Sequence, residues 1–495
     1  MNSPDKIRNL ARSVYHWLPV SQRVKWLLRE RLSPLLAALQ NYRSLTDVGR
    51  GFVSIVSQDS SLPLRDDRCE LALAGILETM AAHARIHGPV RHWIALPFLS
   101  AGGSEMVALN LCRALRELRP EQSVLLLITD RKLVNERIEM PEGVLRLAFD
   151  DYLVDNGSYA RKQVLLRDLL VAAKPDVFHN INSEVAWHLI LQEGERLQHY
   201  TRLFASIFAF QFAPNGHTKI GYAAYFLKKG MPHLLGLLSD NQRFVNDAAL
   251  EYQLTPQDKS RMAVLYQPCR LLTSDNRNAG HERLTRRQVA QAADQQHTSE
   301  RPQVLWAGRL DAEKRIDLFL EVVRRCTFAD FRVFGQVVLG DGEALPALPN
   351  LSYEGPFSSP LEWLERFEFD AFVFTSNWEG MPNILIEVGA LGIPVIAPTV
   401  GGVGELITEN TGYPLPERPT VDDYEQALRY VVNEPAQALQ RAKQLHDLVV
   451  QRHSWDHFVA SIAAVPDYLG SVTRREVIKE ADSRTVAASP AGASE

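Results

Sequence analysis

The chain of 495 residues is 46% hydrophobic and 23% charged, with a formal net charge of −5. That length exceeds one ordinary domain and predicts two to three, the composition is that of a globular protein, and the net negative charge argues against nucleic acid as a partner. Four scattered cysteines, Cys69, Cys112, Cys269 and Cys326, lack the spacing of a disulfide framework or a zinc site and point to a reducing cytosol. No apolar run reaches about 18 residues, the length that spans a bilayer. The start, MNSPDKIRNLARSVYHWL, lacks the apolar core of a signal peptide.

Residues 1–50 are basic, with nine Lys and Arg against three acids, a net +6. Leu28, Leu32, Leu35, Leu36 and Leu39 fall at helical spacing. Such an arm fits an anionic membrane surface, or else a helix whose Leu stripe packs on the protein with its charges in solvent. The extension to residue 88 reads as mainly helical, with Leu71 to Ala82 the best helix candidate.

From Val90 the pattern becomes β/α. HWIALPFLS reads as a buried strand, Ala101 to Glu105 as a glycine turn, and Met106 to Leu118 as an amphipathic helix. The turn is not G-x-G-x-x-G, so it is no dinucleotide fingerprint. Further strands are expected at 123–129, 144–149, 176–181, 202–208 and 233–239. His179 falls at the end of one of them, where it and its neighbours Asn180 and Asn182 fit either an acceptor cleft or a structural role. These elements make a first domain, 89–270. Residues 271–302 are polar and read as a linker with a short helix around Glu282 to Asp294.

A second domain, 303–455, opens with QVLWAGRLDAEK, a strand, a turn and a helix start. Arg309 and Lys314 flank the turn, and a guanidinium fork beside a flexible ammonium suits a diphosphate. Strand ends are also expected at VVLGDGE and YEGPFS, the latter offering Phe357. The stretch Asp370 to Glu405 then reads as strand, loop, helix, strand, the grammar of a parallel α/β sheet. Pro382 suits the first helical position, and Gly392 with Pro394 ends the helix. Glu379 belongs to the loop and Glu387 to the second turn of a helix that is apolar on nearly every face. The N–H groups of Gly380, Met381, Pro382's successor Asn383 and the helix start form a ready anion site. Glu387, one turn deeper, suits two sugar hydroxyls, or else a structural acid bonded to backbone. Helices are expected at 422–431 and 435–450 and from Trp455 to about Tyr468, with 456–472 a C-terminal helical segment, and 473–495 has the composition of a disordered tail.

SNWEGMPNILIE, followed by PVIAPTVGG, resembles the Glu-x7-Glu signature of retaining glycosyltransferases of family 4. The resemblance is firm over 303 to about 468, moderate over 90–269 and absent before that. It implies an α/β protein of the GT-B fold, two Rossmann-like domains facing across a cleft, here with an N-terminal helical extension. The implied donor is a nucleoside-diphosphate sugar and the acceptor a glycan or lipid-linked sugar of bacterial surface polysaccharide. Neither cofactor nor metal is implied. Glu379 would lie near the donor sugar; Gly380, Met381, Pro382 and Asn383 would hold the diphosphate; Glu387 would take the ribose. The matching Gly-Arg-Leu-x3-Lys pattern gives Arg309 and Lys314 to the leaving diphosphate, with Glu379 the catalytic set. The Gly-Gly-x-Glu loop places Gly102 and Gly103 at the donor. Many members carry a His one strand later than His179; here LFASIFAFQF offers Ser206, so His179 or Ser206 serves the acceptor side, or the contact is absent. The implied location is cytoplasmic, with residues 1–50 as the candidate contact to the inner face of the membrane. A sugar-nucleotide epimerase and a non-catalytic partner on the same fold are the rival readings.

Overall fold

The computed structural model describes residues 67–100, 102–131, 134–135, 138–153, 158–213, 217–272, 278–292, 301–310, 312–335, 345–357 and 359–470. The basic arm, the strand end expected at 337–343, Ser358 and the tail 473–495 lie outside these residues. A helix, α1 (Asp67–His87), covers the candidate at Leu71 to Ala82 and precedes two parallel sheets, both of which belong to one compact unit.

The first sheet is built from β1 (Val90–Leu96), β2 (Ser123–Ile128), β3 (Val144–Ala148), β4 (Val177–Ile181), β5 (Arg202–Ser206), β6 (Gly236–Ser239) and β7 (Met262–Val264). Among the described residues its order is β3-β2-β1-β4-β5-β6-β7, all parallel. Every residue of SVLLLI in β2 is buried, as expected of a strand covered by helices on both faces. The covering helices include α2 (Gly103–Leu118), α3 (Tyr159–Ala173), α4 (Glu184–Leu197) and α5 (Gln242–Glu251). The strand expected over 233–239 starts only at Gly236, because Met231–His233 form a short 3-10 turn. The helix expected from Met106 opens three residues earlier, at Gly103.

In the stretch expected as a linker, α6 (Ala279–Ala292) lies against the second domain. Its Arg283 is fully buried and donates to the carbonyls of Gly392 and Phe369 at 2.6 and 2.5 Å. A Cβ on Gly280 would stand 1.9 Å from the Ala390 carbonyl oxygen, so glycine permits this close approach. A polar sequence therefore hides a packed helix whose buried guanidinium satisfies backbone at the end of another helix.

The second sheet contains β8 (Gln303–Ala307), β9 (Asp330–Phe334), β10 (Leu351–Gly355), β11 (Ala371–Val373), β12 (Val395–Pro398) and β13 (Tyr413–Leu415), in the order β10-β9-β8-β11-β12-β13 among the described residues. All these pairings are parallel. Helices α7 (Ile316–Arg325), α8 (Leu361–Arg366), α9 (Asn383–Ala390), α10 (Val421–Asn433) and α11 (Pro435–Arg452) accompany it.

The chain then crosses back. α12 (Trp455–Ala464) packs on α2, and its Phe458 and Ile462 join Ile94, Leu111 and Leu126 in the core of the first domain. Fully burying each of those two side chains stabilises the crossing by about 1.5–3 kcal/mol. The helix expected to reach Tyr468 stops at Ala464, because Pro466 pushes Val465 into extended backbone at ψ 120°.

Candidate active site

In both sheets the strand order reverses beside the first strand of the domain. In the second sheet the chain winds from β8 through β9 to β10, then returns to β11 on the other side of β8. Loops leaving the carboxyl ends of β8 and β11 therefore diverge around a crevice, the usual ligand position in such sheets. The loop after β8 carries Arg309 and Lys314; the loop after β11 carries Glu379 to Pro382.

Three hydrogen bonds join these loops. Trp306 Nε1 donates to Thr375 Oγ1 at 3.0 Å, Thr375 Oγ1 donates to the Lys314 carbonyl at 2.6 Å, and the Asn377 N–H donates to the Glu313 carbonyl at 2.9 Å. Lys314 Nζ forms an ion pair with Glu379 Oε1, both side chains largely buried. Arg309 instead pairs with Glu313 on its own loop and is about half exposed.

The glycine turn after β12 supports the same loop. Gly401 has φ +50°, and a Cβ there would stand 1.9 Å from the Glu379 carbonyl oxygen. The next N–H, of Gly402, donates to the Gly380 carbonyl at 3.0 Å. This explains why Gly-Gly follows PVIAPTV: backbone must meet backbone there.

Pro382 is the N-cap rather than the first helical residue, with φ −71° and an extended ψ of 118°, and α9 opens at Asn383. The missing proline N–H thus falls just outside the helix, while Asn383 and Ile384 present N–H groups that have no partner within it. Glu387, in the second turn, is buried and paired with Arg270. Burial pushes its carboxyl above the usual range, and the Arg270 guanidinium opposes that. The structural alternative for Glu387 therefore involves an arginine side chain rather than the backbone. Phe357 packs edge-on against Trp363 at 4.7 Å.

Two residues at the site went unremarked in the sequence. One is Arg270. The other is Asp240, which follows β6 in the first domain. Its Oδ2 accepts the Met381 N–H at 3.1 Å and its Oδ1 accepts Asn241 Nδ2 at 2.7 Å. Burial raises its carboxyl to about 7, partly offset by these bonds. A Cβ on Gly380 would approach that carboxylate to 2.9 Å, so Gly380 makes room for Asp240. Beside it, the Arg243 N–H donates to Glu405 Oε1 at 2.6 Å and Tyr266 donates to Glu405 Oε2 at 2.7 Å, joining the same two domains. The signal for Asp240 was present: Ser-Asp-Asn directly after an apolar strand, with Asn241 capping α5.

On the first domain, Gly102 is the N-cap of α2, and a Cβ there would strike the Glu105 carboxylate. Glu105 is buried and accepts from Ser100 at 2.7 Å and Ser104 at 2.9 Å. A Cβ on Gly103 would meet open space.

His179 and Ser206 correct the expectation of an acceptor contact. His179 lies inside β4, not at its end, and is fully buried, as is Ser206. His179 Nε2 bonds Ser206 Oγ at 2.8 Å and Nδ1 bonds the Tyr468 hydroxyl at 2.6 Å. The crossing segment closes over the pair, so neither presents a polar atom to an acceptor. Asn180 is likewise buried and consumed in holding Ser183 at the start of α4. Among the described residues no group of three or more His, Cys, Asp or Glu side chains could hold a metal ion, and no helix is long and apolar enough to cross a membrane.

The two parallel-sheet α/β domains resemble those of solved glycosyltransferases. The chain overlays Anabaena HepE, determined in complex with UDP and glucose, with a TM-score of 0.54 at 14% identity, over 76% of this chain and 98% of that one. Sucrose-phosphate synthase from Thermosynechococcus elongatus gives 0.55 at 15%, over 81% and 100%. The fold is GT-B. Residues 301–434 match the family model described as "Glycosyl transferases group 1". A Salmonella typhi relative, Vi polysaccharide biosynthesis protein VipC/TviE, is 30% identical over 148 residues, 26% of this chain and 25% of its own length. This GT-B chain thus spans about a quarter of that curated relative, and the matched family region contains the whole Lys314–Glu379 crevice.

Proposed function

We propose that the chain is a retaining, metal-independent glycosyltransferase that moves a sugar from a nucleoside-diphosphate sugar to a glycan or lipid-linked acceptor of bacterial surface polysaccharide. The observation that carries this reading is the Lys314–Glu379 pair at the switch point of the second sheet, beside the open N–H groups at the start of α9. Lys314, Arg309 and those N–H groups would bind the diphosphate and stabilise the charge that grows on it as the sugar leaves. Glu379 would sit at the donor sugar and Glu387 at the ribose, with Gly102 and Gly103 approaching from the first domain. The bond between the anomeric carbon and the diphosphate oxygen breaks while the acceptor oxygen bonds the same face. The acceptor's proton passes to the departing phosphate, so no separate protein base is required. The UDP in the HepE complex makes uridine donors the first to try. The reaction would take place in the cytoplasm, with residues 1–50 as the segment that meets an anionic membrane.

The test is a melting-temperature panel with UDP-, GDP-, ADP- and dTDP-sugars, followed by product analysis with the donor that binds. A ligand at 100 times its dissociation constant adds about 2.7 kcal/mol to stability. Failure of every nucleotide to shift the melting temperature overturns the reading, and an inverted anomeric product overturns the retaining course.

A further inference from the structure

The carboxyl edge of the first sheet carries a second constellation. Arg131 follows β2, Tyr159 opens α3 after β3, Glu184 opens α4 after β4, and Tyr222 follows β5. Because these strands are parallel, their following segments emerge on one edge of the sheet.

Tyr159, Glu184 and Tyr222 gather about one pair of rings, His188 and Phe226. Burial raises the Tyr159 phenol above the ordinary range, and the carboxylates of Glu184 and Asp130 and the Tyr222 phenol raise it further. Burial also raises Tyr222, with Asp130 and Glu184 adding to the shift and Arg131 opposing it. Among the described residues neither phenol has a hydrogen-bond partner. Both stay protonated at neutral pH and can donate to a ligand as well as accept from it.

The rings are held from behind. Tyr159 meets His188 edge-on at 5.7 Å, His188 meets Phe226 at 5.1 Å, and Tyr222 stacks on Phe226 at 6.1 Å. Phe226 in turn stacks on the buried Trp187. Arg131 lies over Phe98, 4.8 Å from the ring centre.

This edge is not built for phosphate. Asp130 already fills the N-terminus of α4, accepting the N–H groups of Glu184 at 2.9 Å and Val185 at 3.3 Å. The nearby Lys162 is buried against Asp150 and donates to the Asp130 carbonyl. Protein carboxylates thus occupy the anion positions. Beside them lie two tyrosine faces with their phenol hydroxyls, the Arg131 guanidinium, and Glu184, whose Oε1 is 3.8 Å from His188 Nε2. Carboxylates, guanidinium and phenols bond hydroxyl groups, and the faces of aromatic rings cover the C–H side of a sugar.

We propose that Tyr159, Tyr222, Glu184 and Arg131 form a pyranose-binding subsite that seats a sugar ring of the acceptor. Its assignment to the acceptor rests on the transferase reading; sugar binding at this edge does not.

The experiment is saturation-transfer NMR on the full chain with methyl α-D-glucopyranoside, methyl β-D-galactopyranoside, N-acetylglucosamine and glucuronic acid as separate probes. At least one should receive saturation from the wild type. Its signal should fall about threefold or more in Tyr222→Ala, which removes a stacking face. It should fall in Tyr159→Phe too, which removes only a hydroxyl. The melting shift given by UDP should be unchanged in both. If Tyr222→Ala does not fold, Glu184→Gln and Tyr222→Phe replace it, with the same expected loss. Silence from every probe, or equal signals in wild type and variants, overturns the subsite. Sugar binding without any nucleotide binding would leave the subsite standing and remove the transferase reading. Nucleotide binding without sugar binding does the reverse.

Discussion

Asp240 of the first domain holds the backbone N–H of Met381 in the second, at 3.1 Å. Met381 belongs to the loop proposed to bind the donor diphosphate, so a carboxylate of the protein occupies one position that an anionic ligand would use. Its proton is therefore linked both to stability and to donor binding.

The folded state holds the Asp240 proton up to about 7, against an ordinary value of 3.8. Between those values the native state binds a proton that the unfolded state has released, so stability falls as pH rises through this window. Above pH 7 the full cost is present, on the order of 4 kcal/mol. Asp240→Asn carries no titrating proton. It should flatten this part of the profile, melt higher than the wild type at pH 8, and bind UDP more tightly there. Melting curves and UDP titrations at pH 6 and 8 check this. A variant with the wild-type pH dependence would show that Asp240 does not carry the effect.

Three buried histidines act in the opposite sense. Burial holds His179 at about 3 and His453 at about 4, and lowers His92 well below the usual value. The unfolded state protonates each near 6.5, so stability present above that pH is lost as pH falls from 6.5 toward 4. Acid unfolding should take up about three protons at these sites, measurable as buffer-dependent heat. Tyr468→Phe removes the hydroxyl that bonds His179 Nδ1 and should cost about 1 kcal/mol without changing UDP affinity. A changed affinity would return His179 to the ligand site.

Glu387→Gln should weaken binding of both UDP and UDP-sugar, since a neutral amide is a poorer acceptor for ribose hydroxyls; the expected loss is about 1.5–3 kcal/mol. Arg270→Ala leaves a buried carboxylate without its ion pair, and so should lower the melting temperature more than Glu387→Gln does. If Glu387→Gln destabilises the protein but leaves nucleotide affinity intact, Glu387 is a structural acid.

The second domain was the more legible in sequence because its signals are local. A strand, a turn with Arg309 and Lys314, and SNWEGMPNILIE each lie within about twenty consecutive residues, and adjacency of β8 and β11 does the rest. What sequence could not show was partnership across long separations. Glu387 gives no sign of Arg270, nor His179 of Tyr468, which lies 289 residues away. His179 looked like a strand-end residue because polar residues surround it, yet a buried histidine whose two ring nitrogens are satisfied is compatible with a strand interior. Residues 271–302 looked like a linker because α6 is mostly polar: beside one buried leucine, Leu284, the large side chain it buries is a charged one, Arg283. Burial of an arginine is visible only once the carbonyls it serves are in place.

The decisive variants are those of Lys314 and Glu379. Lys314 and Glu379 are each less than a fifth exposed, so Lys314→Ala strands a carboxylate and should cost about 1–3 kcal/mol of stability. Arg309 and its partner Glu313 are more exposed, so Arg309→Ala should cost roughly 0–1 kcal/mol. Activity should not follow that order. The diphosphate carries its ground-state charge in every complex, but extra charge builds on the leaving oxygen as the sugar bond breaks, and a cation there gains most in the transition state. Each alanine variant should therefore slow single turnover by about 10²–10³ while weakening donor binding far less. Arg309→Lys should recover only part of the rate, because an ammonium lacks the bidentate fork. Lys314→Ala with Glu379→Gln should cost less stability than the two single losses added, since the stranded charge is gone; its turnover should remain as slow as that of Lys314→Ala alone. Donor affinity, melting temperature and single-turnover rate for the singles and the double separate these roles. A Lys314→Ala protein that is destabilised yet transfers sugar at the wild-type rate would make the ion pair a loop brace and remove the leaving-group site.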